Sequence, residues 1–409
     1  MKTQIEGIRL KDIFRLTSFP GWLLLIQPVL YIVLARRRDL NAYASVDATA
    51  IVFILYSFIC FIVGCRTVLT NQESTLGKAV MTRSPLVWLL VYTILGAISS
   101  IWSVVSTLTA FRSFECFATI LLICACIQKL FETGNKRFVM LWTLFYAVWE
   151  SCWAIIKTVR WTTDISVVLE SSQFTATTFF FVALYFTPRR WYNYLIIAMS
   201  VFSMSTVAYM GMALGLISSF WLNTKAKAWA TAAAFLIAFA SLIFGPYTIV
   251  KNTIFFDKED ISLENTTGRN HLMEAAIDCI DHYPLGLGFF AAEPYVLYAK
   301  HLGGISAHNS FFSAGMGLGY PGIILISAFF ITMGFAVFSK YIDKRYKPIL
   351  IGCCCVAFMH CMGNPSIGSR VYAAWLPCAY VFILTCFFYV YGKFYDIEDE
   401  HEDEDEYLY

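Results

Sequence analysis

One arginine and one histidine, Arg269 and His308, are the residues of this 409-residue chain best suited to chemistry. The arginine guanidinium is a planar fork of hydrogen-bond donors that binds phosphate oxygens at two points. A neutral imidazole takes a proton from a hydroxyl near neutral pH, or orients that hydroxyl. The pair therefore suits the departure of a phosphate group and the attack of a hydroxyl. Because cationic side chains stabilise the leaving phosphate, neither a metal nor a cofactor is predicted.

Histidines cluster around these two residues. Of the six histidines in the chain, none precedes residue 271, and four lie between residues 271 and 308. Loops are rich in polar residues in any case, so three of the four are predicted to be solvated or structural: His271, His282 and His301. Asn309 directly follows His308, and it is predicted to fix the imidazole tautomer or to hydrogen-bond a substrate hydroxyl.

The same region contains a predicted helix that ends in a turn. Apolar residues recur there at helical spacing: Leu272, Ala275, Ala276 and Ile280. The run Tyr283-Pro-Leu-Gly-Leu-Gly288 follows, and proline and glycine at this point terminate a helix. A helix that begins near Arg269 is therefore predicted to lead into a tight turn.

The composition indicates where these elements must lie. The chain is 58% hydrophobic and 14% charged, whereas soluble domains carry about 25% charged residues. These values exclude a soluble globular enzyme and predict an all-α polytopic membrane helical bundle. The net charge of +2 gives no indication of a nucleic-acid partner. Most of the 13 cysteines lie inside apolar runs, where they are predicted to pack as small hydrophobic residues and not to form disulfides or a zinc site.

About 20 apolar residues are needed for a helix to cross the hydrocarbon core. The sequence predicts about 12 such spans, of which the short pair 192–206 and 207–222 can also form one long helix. The predicted spans are 19–35, 47–64, 86–106, 109–128, 138–159, 171–187, 192–206, 207–222, 228–247, 308–338, 348–363 and 371–391.

The spans divide the chain into four parts. Residues 1–247 form a predicted N-terminal bundle of about nine helices, and residues 308–391 form three more. Residues 248–307 between them form one large loop, which contains Arg269 and the predicted helix. Compact proteins rarely keep so long a loop unless it is functional. Residues 392–409 are acidic and are predicted to be a disordered tail.

Basic residues set the predicted orientation, since lysine and arginine concentrate on cytoplasmic loops. With 12 spans, nearly all basic loops fall on the same side as the N-terminus. The exception is the cluster Arg36-Arg37-Arg38. Both termini are therefore predicted to be cytoplasmic, and the large loop lies on the opposite face. Within the spans, Arg112 and Glu115 are three residues apart and are predicted to pair.

Four elements in this order resemble the O-antigen ligase and O-antigen polymerase family of bacterial membrane glycosyltransferases. They are Arg269, the run Pro284-Leu-Gly-Leu-Gly288, the triplet His308-Asn309-Ser310, and the run Gly317-Leu-Gly-Tyr-Pro-Gly322. The resemblance implies an enzyme of the inner membrane that moves a glycan from undecaprenyl diphosphate to an acceptor sugar on the periplasmic face. It also implies catalytic roles for His308 and Arg269, and substrate binding by Asn309.

The family usually has a second arginine in a Ser-Arg-Gly motif on an earlier span. The corresponding stretch here, Ser203 to Gly211, has no arginine. Candidate substitutes are Lys157, Arg160 and Arg370, and the first two share one helix face because they are three residues apart.

The missing arginine favours a polysaccharide polymerase, with an O-antigen ligase that transfers glycan to lipid A-core as the alternative. A transporter or flippase for lipid-linked oligosaccharides is a more distant alternative, because the sequence contains no evident inverted repeat. The expected partners are the undecaprenyl-diphosphate-linked glycan, an acceptor glycan or lipid A-core, the lipid bilayer and a chain-length regulator protein.

Overall fold

The structure is a computed structural model of the chain. It describes residues 19–34, 48–69, 77–79, 82–133, 214–215, 217–218, 269–300, 307–344, 346–363, 365–368, 371 and 375–406. All regular secondary structure in these ranges is helical, and none of them forms a β-strand. The predicted all-α class is therefore confirmed for the described part of the chain.

The helices of this part are labelled in chain order. They are α1 (Phe19–Leu34), α2 (Ala48–Leu69), α3 (Leu86–Ile98), α4 (Ser106–Thr133), α5 (Arg269–His282), α6 (Ala292–Ala299), α7 (Ser310–Phe338), α8 (Lys347–Gly363) and α9 (Trp375–Glu406). A short 3₁₀ turn, Ser99–Ile101, continues α3.

Four of these helices are long and apolar enough to cross a membrane: α2, α4, α7 and α9. The predicted spans 47–64, 109–128, 308–338 and 371–391 coincide with them. The shorter helices α1, α3 and α8 coincide with three further predicted spans. The predicted spans 138–159, 171–187, 192–206 and 228–247 lie outside the described residues, as does nearly all of 207–222. The total of about 12 spans therefore remains a prediction.

The centre of the bundle is α4, which packs against α1, α2, α3 and α9. Its residues from Ala118 to Gln128 are buried on every side, as expected for a helix that is apolar around its whole circumference. In contrast, α2 exposes large apolar side chains such as Leu55 and Ile62. The side chain of Glu115 is buried on α4, and its Oε2 lies 2.7 Å from Nη1 of Arg112. The predicted pairing of these two residues is confirmed.

The helix α7 is not a single straight span, which corrects the prediction for residues 308–338. Gly319 interrupts it with φ 63° and ψ −152°. A Cβ atom on Gly322 would lie 2.6 Å from the carbonyl oxygen of Ala314, although eight residues span about 12 Å in a straight helix. Residues 310–318, here called α7a, therefore fold back against residues 320–338, here called α7b.

This fold-back moves the start of α7 away from the end of the span. The rings of Phe311 and Phe330 lie 5.5 Å apart between centroids, so the start of α7a lies beside the middle of α7b. The 19 residues of α7b alone reach about 28 Å, which matches the hydrocarbon thickness. The sequence places His308 at the mouth of a span, whereas the structure places it alongside one.

The last helix, α9, extends to Glu406, and thus into the acidic segment for which the sequence predicts disorder. Adding a residue to an existing helix costs little, because the nucleus has already formed. The segment from Trp375 to Phe394 is the part of α9 that is apolar enough to span a membrane.

Candidate active site

The bend at Gly319 between α7a and α7b, here called the corner of α7, leaves backbone groups without their usual helical partners. Because Pro321 has no N–H, the carbonyl of Gly317 lacks the donor that would lie four residues later. The N–H of Tyr320 turns away from the carbonyl of Met316 and donates to the loop before α6. Gly319 adopts a conformation that is essentially restricted to glycine. The corner therefore depends on an external set of hydrogen bonds.

The predicted turn after α5 supplies those hydrogen bonds. The N–H groups of Leu287 and Gly288 donate to the two freed carbonyls, at 3.0 and 2.9 Å, and Tyr320 donates to the carbonyl of Pro284 at 2.9 Å. The two backbones approach closely, and a Cβ atom on Gly286 would lie 2.4 Å from the backbone of α7a. The Pro-Leu-Gly-Leu-Gly run and the glycine-rich run are therefore two halves of one backbone junction.

The turn between α3 and α4 holds the other side of the loop that connects α5 with α6. Ser99 Oγ accepts from the N–H of Phe289 at 3.1 Å, and the hydroxyl of Thr109 donates to the carbonyl of Phe289 at 3.1 Å. The indole of Trp102 donates to the carbonyl of Leu285 at 3.2 Å. The loop is thus fixed between the central bundle and the corner of α7.

The helices α5 and α7a run side by side in the same direction. Their C-terminal ends meet where Pro284 bonds Tyr320, and Ile280 packs directly against Gly315. An apolar cluster then joins Leu272, near the start of α5, with residues flanking the start of α7a. It contains Leu272, Ala275, Ala276, Cys279, Ala292, Val296, Leu297, Ala307 and Met316. Arg269 begins α5 and His308 precedes α7a, so the structure brings their backbones to the same end.

The start of α7a has an unusual backbone. His308 has φ 52°, which is uncommon for a residue other than glycine. Asn309 is the N-cap of the helix: its Oδ1 accepts from the N–H groups of Phe311 at 2.8 Å and Phe312 at 3.3 Å. Its Nδ2 donates to the carbonyl of Met362 on α8 at 3.1 Å. This capping role was not predicted from the sequence, although asparagine before an apolar run is a typical N-cap signal.

The segment after α8 packs onto the same helix start. The N–H of Ile367 donates to Ser310 Oγ at 3.3 Å, and the hydroxyl of Tyr92 donates to the carbonyl of Gly368 at 2.8 Å. The backbone at Gly368 is so close that a Cβ atom there would lie 2.7 Å from the carbonyl oxygen of Ser310. Residues 365–368 therefore form a wall beside the start of α7a.

A half-buried histidine stabilises this wall. His360, on α8, forms a hydrogen bond through Nδ1 with the hydroxyl of Ser366. Arg370 follows shortly after in the sequence, but it lies outside the described residues, as do Lys157 and Arg160. The side chain of Arg269 also lies outside them.

The structure adds one acidic residue that the sequence analysis missed. Glu293, in the first turn of α6, is only 1% exposed. Its Oε1 accepts hydrogen bonds from the N–H of Ala307 at 3.1 Å and from the hydroxyl of Ser313. A sequence signal for it existed, because Glu293 is the one charged residue in the apolar run from Phe289 to Leu297.

The solvent-exposed face of α5 contains histidines and an ion pair, unlike its apolar buried face. His271 and His282 are exposed there, as predicted for solvated histidines, whereas His301 lies outside the described residues. Lys300 forms an ion pair with Asp278, and the hydrogen bond from this ammonium group lowers the pKa of the Asp278 carboxyl. This surface pair joins the end of α6 to α5.

The comparison with known families covers the segment that contains this site. Residues 175–327 match the family model described as O-antigen ligase. The matched segment contains α5, the loop, α6, His308 and the corner of α7. No curated protein matches the chain. The chain thus contains a segment similar to the O-antigen ligase family, whose members are membrane glycosyltransferases of the ligase and polymerase type.

Proposed function

We propose that the chain is a polysaccharide polymerase that transfers a glycan from undecaprenyl diphosphate to the end of another lipid-linked glycan. The observation that carries this proposal is the parallel packing of α5 and α7a. It brings the start of α5, where Arg269 lies, to the same end as His308. A phosphate-binding cation and a proton acceptor at one place are the two groups that this transfer needs.

In the proposed reaction, a hydroxyl oxygen of the acceptor sugar attacks the anomeric carbon of the donor. The bond from that carbon to the diphosphate oxygen breaks, and undecaprenyl diphosphate leaves with the bonding electrons. His308 takes the proton of the attacking hydroxyl, and Arg269 stabilises the charge on the departing diphosphate. Because the site lies alongside α7b, the local dielectric constant is lower than in water and this stabilisation is stronger. No step requires a metal ion.

Arg370 is the proposed second cation, in place of the arginine missing between Ser203 and Gly211. It follows Gly368 by two residues, and two residues of chain reach about 7 Å at most. Since Gly368 is held against Ser310, this connection supports Arg370 as that cation. Replacing Arg370 with Gln should lower the transfer rate more than the same replacement at either alternative.

The proposed location is the bacterial inner membrane, with the α7 corner on the periplasmic side, a site that opens to that side, and both termini in the cytoplasm. Lysines support this orientation, because Lys340, Lys344 and Lys347 follow the far end of α7b and cytoplasmic loops are rich in basic residues.

Purified full-length protein with lipid-linked oligosaccharide alone tests the proposal. We expect a ladder of longer glycans, formed equally well with a metal chelator present, and reduced to a small residual rate by His308→Ala and Arg269→Ala. The family description favours a second candidate, an O-antigen ligase, which would form product only after lipid A-core is added. If both variants transferred glycan at the wild-type rate, transfer would not depend on this site. If the purified wild-type protein formed no product with either acceptor, a transporter would become the better account. Adding a chain-length regulator should narrow the ladder without changing the requirement for His308.

A further inference from the structure

The first turn of α6 contains a carboxylate that the mechanism above does not use. Glu293 is 1% exposed and lies where α6 packs against α7a. Burying a carboxylate costs free energy that an apolar side chain would avoid. The contacts of Glu293 therefore indicate what the residue does.

Both described hydrogen bonds of Glu293 come from residues that flank His308 in the sequence. Ala307, which donates its N–H, directly precedes the histidine, and Ser313, which donates its hydroxyl, lies one turn into α7a. The same carboxylate oxygen accepts both hydrogen bonds. Glu293 thus connects the two ends of the short segment that contains His308.

The conformation of His308 requires such a connection. Its φ of 52° lies in a region that is unfavourable for a residue with a Cβ atom, and strained residues persist only where the surrounding structure holds them. Asn309 holds the following side of the segment through its cap and its hydrogen bond to α8. Glu293 holds the preceding side through Ala307.

We propose that Glu293 is a positioning residue for His308, which fixes the backbone from which the imidazole reaches the acceptor hydroxyl. This inference rests on the proposed function of His308. The described donors are an amide and a hydroxyl, and an oxygen with two lone pairs accepts from both. A glutamine side chain also provides such an oxygen, and it should replace glutamate.

The test compares Glu293→Ala and Glu293→Gln in purified full-length protein that elongates lipid-linked oligosaccharide. We expect Glu293→Ala to lower kcat by about 100-fold, as a displacement of about 1 Å of a catalytic group does. The KM for the donor should stay near its wild-type value, because phosphate binding by Arg269 is untouched. Glu293→Gln should recover most of kcat. Glu274→Ala, on the exposed face of α5, is the matched control and should leave both constants unchanged.

A double-mutant cycle with His308→Ala separates positioning from a general effect on folding. Single-turnover transfer of a radiolabelled glycan provides the sensitivity that the slow variants need. If Glu293 acts through His308, Glu293→Ala should cause no further loss in the His308→Ala protein. Three results would overturn the inference: the same loss in both backgrounds, no recovery with glutamine, or a higher KM at unchanged kcat. A wild-type rate for His308→Ala would instead overturn the proposed function. Should Glu293→Ala fail to fold, Ser313→Ala removes one donor and should lower kcat by a smaller factor.

Discussion

Two helices of almost the same length, α4 and α7, differ in their regularity: one is continuous and the other is interrupted. They contain 28 and 29 residues, and both are apolar enough to span a membrane. The helix α4 contains no glycine or proline, runs without interruption and forms the centre of the bundle. The helix α7 contains five glycines and Pro321, folds back at Gly319 and leads directly from the candidate active site. The regular helix therefore contributes to stability alone, whereas the broken helix contributes to stability and also to the proposed chemistry.

The largest expected effect comes from removing the break in α7. A Cβ atom on Gly319 would lie 1.9 Å from the carbonyl oxygen of Pro284, and an alanine there would adopt a conformation that essentially only glycine tolerates. We expect Gly319→Ala to abolish chain elongation and to destabilise the protein by more than about 3 kcal/mol. Thermal unfolding in detergent, together with the elongation assay, measures both effects. An active and equally stable variant would show that the corner is not required.

The second prediction concerns α4, where a buried ion pair contributes to stability and not to chemistry. Glu115→Ala leaves the guanidinium of Arg112 without the carboxylate that lies 2.7 Å away, and breaking such a pair costs about 3 kcal/mol. We expect a lower melting temperature and an unchanged kcat for the protein that remains folded. Replacing both residues, Arg112→Met with Glu115→Leu, should recover much of the stability. A specific loss of kcat in Glu115→Ala would erase the contrast between α4 and α7.

A smaller effect is expected at the N-cap of α7a. Asn309→Ala removes the acceptor for two backbone N–H groups and should cost about 1 kcal/mol of stability. Asn309→Asp keeps that acceptor but loses the donor to Met362. If Asn309 acts mainly as a cap, the melting temperature of Asn309→Asp should lie nearer to that of the wild type than to that of Asn309→Ala. The reverse order would assign the main role to the connection with α8.

The smallest effect is expected within α7b itself. Nothing lies within 4 Å of a Cβ atom built on Gly334, and a glycine inside a regular helix is less favourable than alanine by up to about 1 kcal/mol. Gly334→Ala should therefore leave activity unchanged and raise the melting temperature slightly. It is also the matched control for Gly319→Ala. A loss of activity in Gly334→Ala would show that α7 responds to any added methyl group, wherever it lies.

Much of the local structure follows from the sequence. The spacing of Leu272 and Ile280 predicts α5, and the run after Tyr283 predicts where it ends. The pairing of Arg112 with Glu115 follows from their spacing alone. These features are local, and they depend on helix periodicity and on the restricted backbone of proline and glycine.

The fold-back of α7 and the role of Glu293 do not follow from the sequence. Glycines 317, 319 and 322 are compatible with both a straight span and a corner, and the choice depends on hydrogen bonds from Leu287 and Gly288 about 30 residues away. Glu293 is conspicuous in its apolar run, but its partners Ala307 and Ser313 are known only once α6 and α7a pack together. Long-range pairing of this kind leaves no periodic signal.

The central claim is that α7a folds back so that His308 lies beside the middle of α7b. Replacing Phe311 with the photoreactive residue benzoylphenylalanine in the full-length protein tests this directly, since Phe330 lies 5.5 Å away between ring centroids. In a straight helix the same two positions would be about 28 Å apart. The structure predicts a photo-crosslink between residue 311 and the peptide that contains Phe330, which mass spectrometry identifies. Efficient crosslinking at residue 311 that never includes this peptide would contradict the account.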